Sequence, residues 1–303
     1  MANFISAFHD KYRKKVIVWE SLGSPRKRVR RELEPSYYFY VPDRLGNFTS
    51  LSGERLKRVD CPNAEEFDKQ LQTSGKKFES DFDPLERAFQ DNYVGKESPE
   101  LIVGFTDIEV DYDPKIGFAG PKNPYAIINA LTLIKSTGEI FTFAIPPLEV
   151  LQEFDSRDEG CRQLQASFAE IPGLEHVELY AREDQLLNRF LDVLQDCDVL
   201  SGWNSEFFDL PYLTKRIELI LGKTALQRLS FEGGPPPRWS EKARFKHSPE
   251  KDPIVDLVSR VHLDYMALFQ KFNLDKRQSY SLNAVCLTEL NEEKLEYDGS
   301  LAE

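Results

Sequence analysis

Asp107 and Glu109 stand one residue apart at the end of an apolar run, in the stretch GFTDIEVDYDP at residues 104–114. Alternation along a strand puts both carboxylates on one face and turns Ile108 and Val110 to the other. Two like charges side by side are costly unless water or a cation neutralises them. Oxygen-only donors suit magnesium or manganese, and a pair of such ions can activate a water and stabilise the leaving oxygen of a phosphodiester. Another acid, Asp209, follows a buried-looking strand and the loop residue Asn204 in SGWNSEFFDLPY at 201–212, just before a helix that Pro211 opens. Each has a plainer account when read alone: solvated acids at a strand end, an acid favouring a helix N-terminus, an Asn in a turn. Together they point to a site for hard cations.

Positioning such acids requires a sheet and flanking helices, and the pattern along the chain supplies them. Residues 1–100 read as a smaller β-rich unit with a short helix behind Asn63, then polar, loop-like sequence up to a boundary at 96–100. From Leu101 the strand candidates are 101–110, 125–134 and 139–145, the last two joined by a tight turn at 136–138 and therefore antiparallel. A strand at 176–181 precedes a helix at 183–196, where Leu186, Leu187, Phe190, Leu191 and Leu194 share one face. A strand at 198–203, the helix from Pro211 through Gly222, a loop or exposed hairpin at 233–252, a strand at 261–263 and a helix from Tyr265 follow. At that last junction Asp264 reads as a helix cap. Three strands followed by alternating helix and strand predict an α/β domain with a mixed sheet.

Composition limits the function. With 41% hydrophobic and 12% aromatic residues the 303-residue chain can bury ordinary cores for two domains. A net charge of −12 excludes a general basic coat for nucleic acid and disfavours an anionic membrane surface, so a nucleic-acid site must be local and cation-assisted. The basic run at 26–31 reads first as a solvated strand face and second as a nucleic-acid contact. Phe207, Phe208, Tyr212, Phe269 and Phe272 read mainly as core, with stacking on bases as the functional reading. Four scattered cysteines and four histidines form neither a disulfide framework nor a zinc motif. No stretch nears the roughly 18 apolar residues of a membrane span, and the N-terminus lacks the apolar segment and cleavage site of a signal peptide, so the expectation is a cytosolic protein with no membrane partner.

Asp107-Ile-Glu109 looks like a D-x-E motif, and Asn204 to Asp209 looks like an N-x-x-x-F-D motif. In that order they resemble the 3′→5′ proofreading exonuclease region of family B DNA polymerases, and most nearly the replicative polymerases of T-even-like bacteriophages. The stretches GWN at 202–204, FDLPY at 208–212, LDY at 263–265, LFQKF at 268–272, SYSL at 279–282 and KLEYDG at 294–299 carry the closer likeness.

The resemblance implies an RNase H-like (DnaQ-like) exonuclease domain at 101–303, a four-carboxylate site and two divalent ions, Mg²⁺ or Mn²⁺. It implies that Asp107 binds both ions, Glu109 binds one and positions the water, and Asp209 binds the other. Asn204 would support the site, and Phe208 and Lys294 would face the substrate, although Lys294 also reads as a plain surface lysine. The implied partners are a single-stranded or frayed 3′ DNA end, the remaining polymerase domains in the same chain or a separate subunit, and RNA at the 1–100 domain, all in the cytoplasm of a bacterial host.

The departures matter too. The family's third motif, Y-x-x-x-D, with the fourth acid, should follow 294–299, yet the sequence ends at Glu303; the palm signatures S-L-Y-P-S and D-T-D-S do not occur. The chain thus reads as the N-terminal and proofreading portion of such an enzyme. The alternative is a catalytically incomplete nucleic-acid-binding or assembly subunit of a split polymerase.

Overall fold

A computed structural model describes residues 3–23, 27–244, 248–273, 275 and 277–293, and the chain divides into two compact units, 1–100 and 101–303. In the first unit, β1 (Asn3–Asp10), β2 (Lys15–Leu22) and β3 (Lys27–Leu33) form an antiparallel sheet. β2 buries Val16 through Glu20 in unbroken succession, and the Glu20 carboxylate is neutralised by Arg31 at 2.8 Å and accepts a hydrogen bond from the Tyr93 hydroxyl at 2.6 Å. Within the basic run, Arg30 also pairs with an acid, Glu32, at 2.7 Å, while Arg26 lies outside the described residues. β4 (Tyr37–Pro42), β5 (Phe48–Thr49) and β6 (Arg55–Cys61) make a second sheet in the order β4-β6-β5.

α1 (Ala64–Thr73) starts as the sequence predicts, with Asn63 accepting the Glu66 N–H. The polar stretch after it is not all loop: α2 spans Pro84–Tyr93. Leu85, Ala88, Phe89 and Tyr93 lie on one face of it, and its start is fixed by a capping box between Asp83 and Glu86 with Pro84 in the first turn.

The second unit is built on a six-stranded sheet. Its elements are β7 (Val103–Val110), the small hairpin β8 (Tyr112–Asp113) and β9 (Gly117–Phe118), β10 (Ile128–Lys135), β11 (Ile140–Ala144), α3 (Leu148–Leu151), α4 (Arg157–Phe168), β12 (Val177–Leu179), α5 (Glu183–Val193), β13 (Val199–Gly202) and α6 (Asp209–Leu221). There follow the hairpin β14 (Arg238–Lys242) and β15 (Asp252–Asp256), then β16 (Val261–Asp264), α7 (Tyr265–Phe272) and α8 (Leu282–Leu290). α4, capped by Ser156, is another helix without a sequence-level prediction. Strand order is β12-β11-β10-β7-β13-β16, and β10 runs against its neighbours β7 and β11 while the other pairings are parallel. This is the predicted mixed α/β sheet.

One face of the sheet is dry. Ile108, Leu131, Leu133, Phe143 and Leu200 pack against Leu186, Leu187, Phe190 and Leu191 of α5 and Leu213 and Ile217 of α6. Burial of each large side chain contributes about 1.5–3 kcal/mol, which is what holds these helices to the strands. A buried ion pair fixes their register: Glu183 accepts from Arg216 and from the Ile128 N–H, and Arg216 donates to the Pro124 carbonyl at 3.0 Å. The opposite face is wetter. Phe105, Ile134, Ile140, Val261 and Leu263 are each 38–42% exposed, and the pairings Phe105 with Ile134 and Ile134 with Ile140 place the first three side by side.

Candidate active site

β7 alternates as its sequence predicts: Gly104, Thr106 and Ile108 are buried, Phe105, Asp107 and Glu109 exposed. The two acids therefore share the wetter face, toward the carboxyl end of β7, where the parallel strands β7, β13 and β16 all finish. In α/β sheets that end is where ligands bind.

β13 delivers Asp209 through a tight turn. Gly202, paired with Asp264 on β16, must be glycine, because a Cβ there would stand 2.6 Å from the Thr106 carbonyl oxygen. Asn204 takes a left-handed conformation at φ +60°, which Asn tolerates better than most residues. The Ser205 carbonyl accepts the Leu210 N–H at 3.0 Å, and the Ser205 hydroxyl meets His262 Nε2 at 3.0 Å. Burial drives the His262 imidazole below its ordinary value, so it is held neutral.

The helix begins earlier than Pro211 suggests. Asp209 is its first residue and Phe208 its N-cap, with no side-chain cap bond. Asp209 is buried, and its Oδ1 accepts the Ile108 N–H of β7 at 3.2 Å. Burial, and next the charge of Asp107, push its carboxyl up to about 7. A carboxyl so placed takes up either a proton or a cation.

Asp107, Glu109, Asp209, Asn204 and Phe208 line one cleft of about 550 Å³. The structure brings these predicted residues together; Lys294 lies outside the described residues. Trp203 lines the cleft too, fixed by its indole N–H to the Tyr280 carbonyl at 3.0 Å and packed on Tyr265 and Phe269. Glu292 and Glu293, just beyond α8, complete the wall, and nothing in their sequence context sets them apart from solvated acids at a helix end.

Phe208 stacks on Tyr212 with centroids 5.6 Å apart, and Tyr212 is fully buried. Phe207 lies instead beneath Lys242 and Arg244 of the β14 arm. Phe272 is not core: it is 71% exposed.

The donor set is all oxygen, and the mutual charge of Asp107 and Asp209 asks for a counter-ion, so the residues fit hard divalent cations chemically. Among the described residues, however, no three Asp, Glu, His or Cys side chains converge closely enough to enclose one ion.

A mixed α/β sheet with carboxylates gathered at the ends of its parallel strands is a build that metal-assisted hydrolase domains can use. The match to known proteins narrows this. Residues 55–285 match the family model of the DNA polymerase family B exonuclease domain, and the chain belongs to that family. The match begins in β6, so the likeness reaches back into the first unit.

The chain is 34% identical over 125 residues to the DNA-directed DNA polymerase of Escherichia phage RB69, covering 41% of this chain and 13% of the relative. Against the DNA-directed DNA polymerase of Enterobacteria phage T4 the identity is 34% over 103 residues, 34% of this chain and 11% of the relative. The bovine DNA polymerase delta catalytic subunit is 29% identical over 140 residues, 41% of this chain and 11% of the relative. The chain thus aligns with only a small part of the length of these relatives.

Proposed function

We propose that residues 101–303 hydrolyse the 3′-terminal phosphodiester of a single-stranded or frayed DNA end, as the proofreading part of a DNA polymerase whose other domains lie elsewhere. The observation that carries this reading is the single cleft that collects Asp107, Glu109 and Asp209 at the carboxyl ends of parallel strands, in a chain of the exonuclease family. The family's exonuclease domains are metal-dependent. For this chain we assign two Mg²⁺ or Mn²⁺ ions, which Asp107, Glu109 and Asp209 would hold. When bound, such ions supply a nucleophilic water at neutral pH and neutralise charge on the departing oxygen.

The chain's own residues do the rest. Exposed on a strand, Asp107 and Glu109 present two fixed acceptors to solvent, and Glu109 is placed to orient a water. Asp209 is anchored by the Ile108 N–H, so its remaining oxygen has a fixed direction. Trp203 and Phe208 give the cleft an apolar wall on which an unstacked base can rest.

The second reading, an incomplete nucleic-acid-binding subunit, is favoured by one observation, the lack of three converging ligands among the described residues. Degradation of 3′-labelled single-stranded DNA with Mg²⁺ or Mn²⁺ separates the two. Metal-dependent release of mononucleotides, lost in Asp107→Ala, is the expected result. Absence of cleavage both for this chain and for a longer chain carrying Y-x-x-x-D would sink the nuclease assignment and leave the binding reading.

A further inference from the structure

Asp264 ends β16 and is the N-cap of α7, accepting the Ala267 N–H at 3.2 Å. Capping needs one acceptor, and this buried carboxylate does more. Its Oδ1 also accepts the N–H of Asn204, 60 residues earlier, at 3.2 Å, and its Oδ2 accepts the N–H of Glu206 at 2.9 Å. Those two amides flank Ser205 in the turn that leads to α6.

The turn needs holding. Asn204 sits in the left-handed region, which a free chain seldom occupies outside glycine. With the amides of 204 and 206 fixed on one carboxylate and the Ser205 hydroxyl on His262, the Ser205 carbonyl is aimed at the Leu210 N–H and α6 starts at Asp209. From there Asp209 reaches the Ile108 N–H. These bonds, joined by the short stretch of backbone between them, connect β16 to the residue that carries the Asp209 carboxylate.

We propose that Asp264 is a positioning residue of the active site: its two oxygens hold the turn at 204–206 so that Asp209 arrives against β7 beside Asp107. This rests on the reading of Asp209 as a site residue. The competing account is a helix cap and nothing more, and the two differ in what they demand of the side chain. Asn or Ser caps a helix as well as Asp does. Neither offers two carboxylate oxygens, and Asn would turn an N–H₂ toward a backbone N–H.

The test compares Asp264→Asn and Asp264→Ser with the parent 303-residue chain by thermal melting, amide hydrogen exchange at Glu206, Mn²⁺ binding by electron paramagnetic resonance, and cleavage of 3′-labelled single-stranded DNA. Both variants are expected to fold and to exchange the Glu206 amide faster than the parent. Their Mn²⁺ affinity and kcat should fall about 10–100-fold, as when outer partners of a metal site are removed, with KM for DNA unchanged. Variants that bind Mn²⁺ and cleave like the parent would reduce Asp264 to a cap and overturn the proposal. Loss of fold in both would also overturn it, by placing the role in the fold itself. If neither the parent nor a longer chain carrying Y-x-x-x-D binds Mn²⁺ or cleaves, the active-site reading fails and this proposal with it, and that failure is visible before any variant is made.

Discussion

Asp209 and Asp264 occupy the same kind of place and are used in opposite ways. Each follows a parallel strand of the sheet, each stands at the start of a helix, and each is buried. Asp264 spreads its carboxylate over three backbone N–H groups. Asp209 accepts the Ile108 N–H and its own, and faces Asp107, whose charge adds to burial in pushing its carboxyl up to about 7. Burial therefore does not separate an acid whose oxygens are all taken from one that still has an oxygen to offer. The number of donors facing it does, because each donor takes a lone pair that a cation or water would otherwise use.

The sharpest way to break this contrast is Asp209→Asn. If Asp209 is the reactive member, the variant folds but loses metal-dependent cleavage by on the order of 10³-fold, the scale of several kcal/mol of lost electrostatic stabilisation; a single-turnover assay with Mn²⁺ measures it. Residual cleavage near the parent level would put the chemistry elsewhere.

Next in size is Gly202→Ala, which strikes the turn that both acids share. The added methyl meets the Thr106 carbonyl and the Ser205 side chain, and the expected loss of stability in urea denaturation is about 1–3 kcal/mol.

A pH series sharpens the comparison further. The Asp209 carboxyl is raised from 3.8 to about 7, so between those values the metal-free native protein holds a proton that the unfolded chain has released. More protons bound in the native state means that stability falls as pH rises through this window. Melts in a chelator should show that decline, Asp209→Asn should flatten it, and added Mn²⁺ should reverse it.

The smallest effect is expected from Lys242→Ala. Its ion pair with Glu206, at 2.7 Å, ties β14 to the turn, but the lysine is half exposed, so the loss should stay below about 1 kcal/mol in the same denaturation. A larger loss would mean that the hairpin, rather than Asp264, sets the turn.

The acids assigned to the cleft could be picked out in the sequence, and the partners of Asp264 could not. Strict alternation around Asp107 and Glu109 is a period-two signal that one strand carries by itself. Asp209 was visible by its place after a strand and before Pro211, although the helix starts at Asp209 itself because Pro is accepted anywhere in a first turn. Asp264 announced itself only as a cap. Its other partners are backbone amides, which every residue but proline possesses and which leave no mark on the sequence. α4 escaped for a related reason: its start is written in a cap, Ser156 with the Glu159 N–H, while few of its residues are buried; α2 was missed although Leu85, Ala88, Phe89 and Tyr93 share one face. Helices that bury a broad apolar stripe, such as α5, are the ones periodicity finds.

The wetness of the sheet face that carries Asp107 and Glu109 has a consequence for time scales. These two carboxylates are exposed on their strand, so an ion can reach them without any hinge or segment of the protein having to move. If a cation binds these two acids, the pace of its arrival would be set by its own grip on its water shell, which is tight for magnesium, rather than by the microseconds to milliseconds of a moving loop.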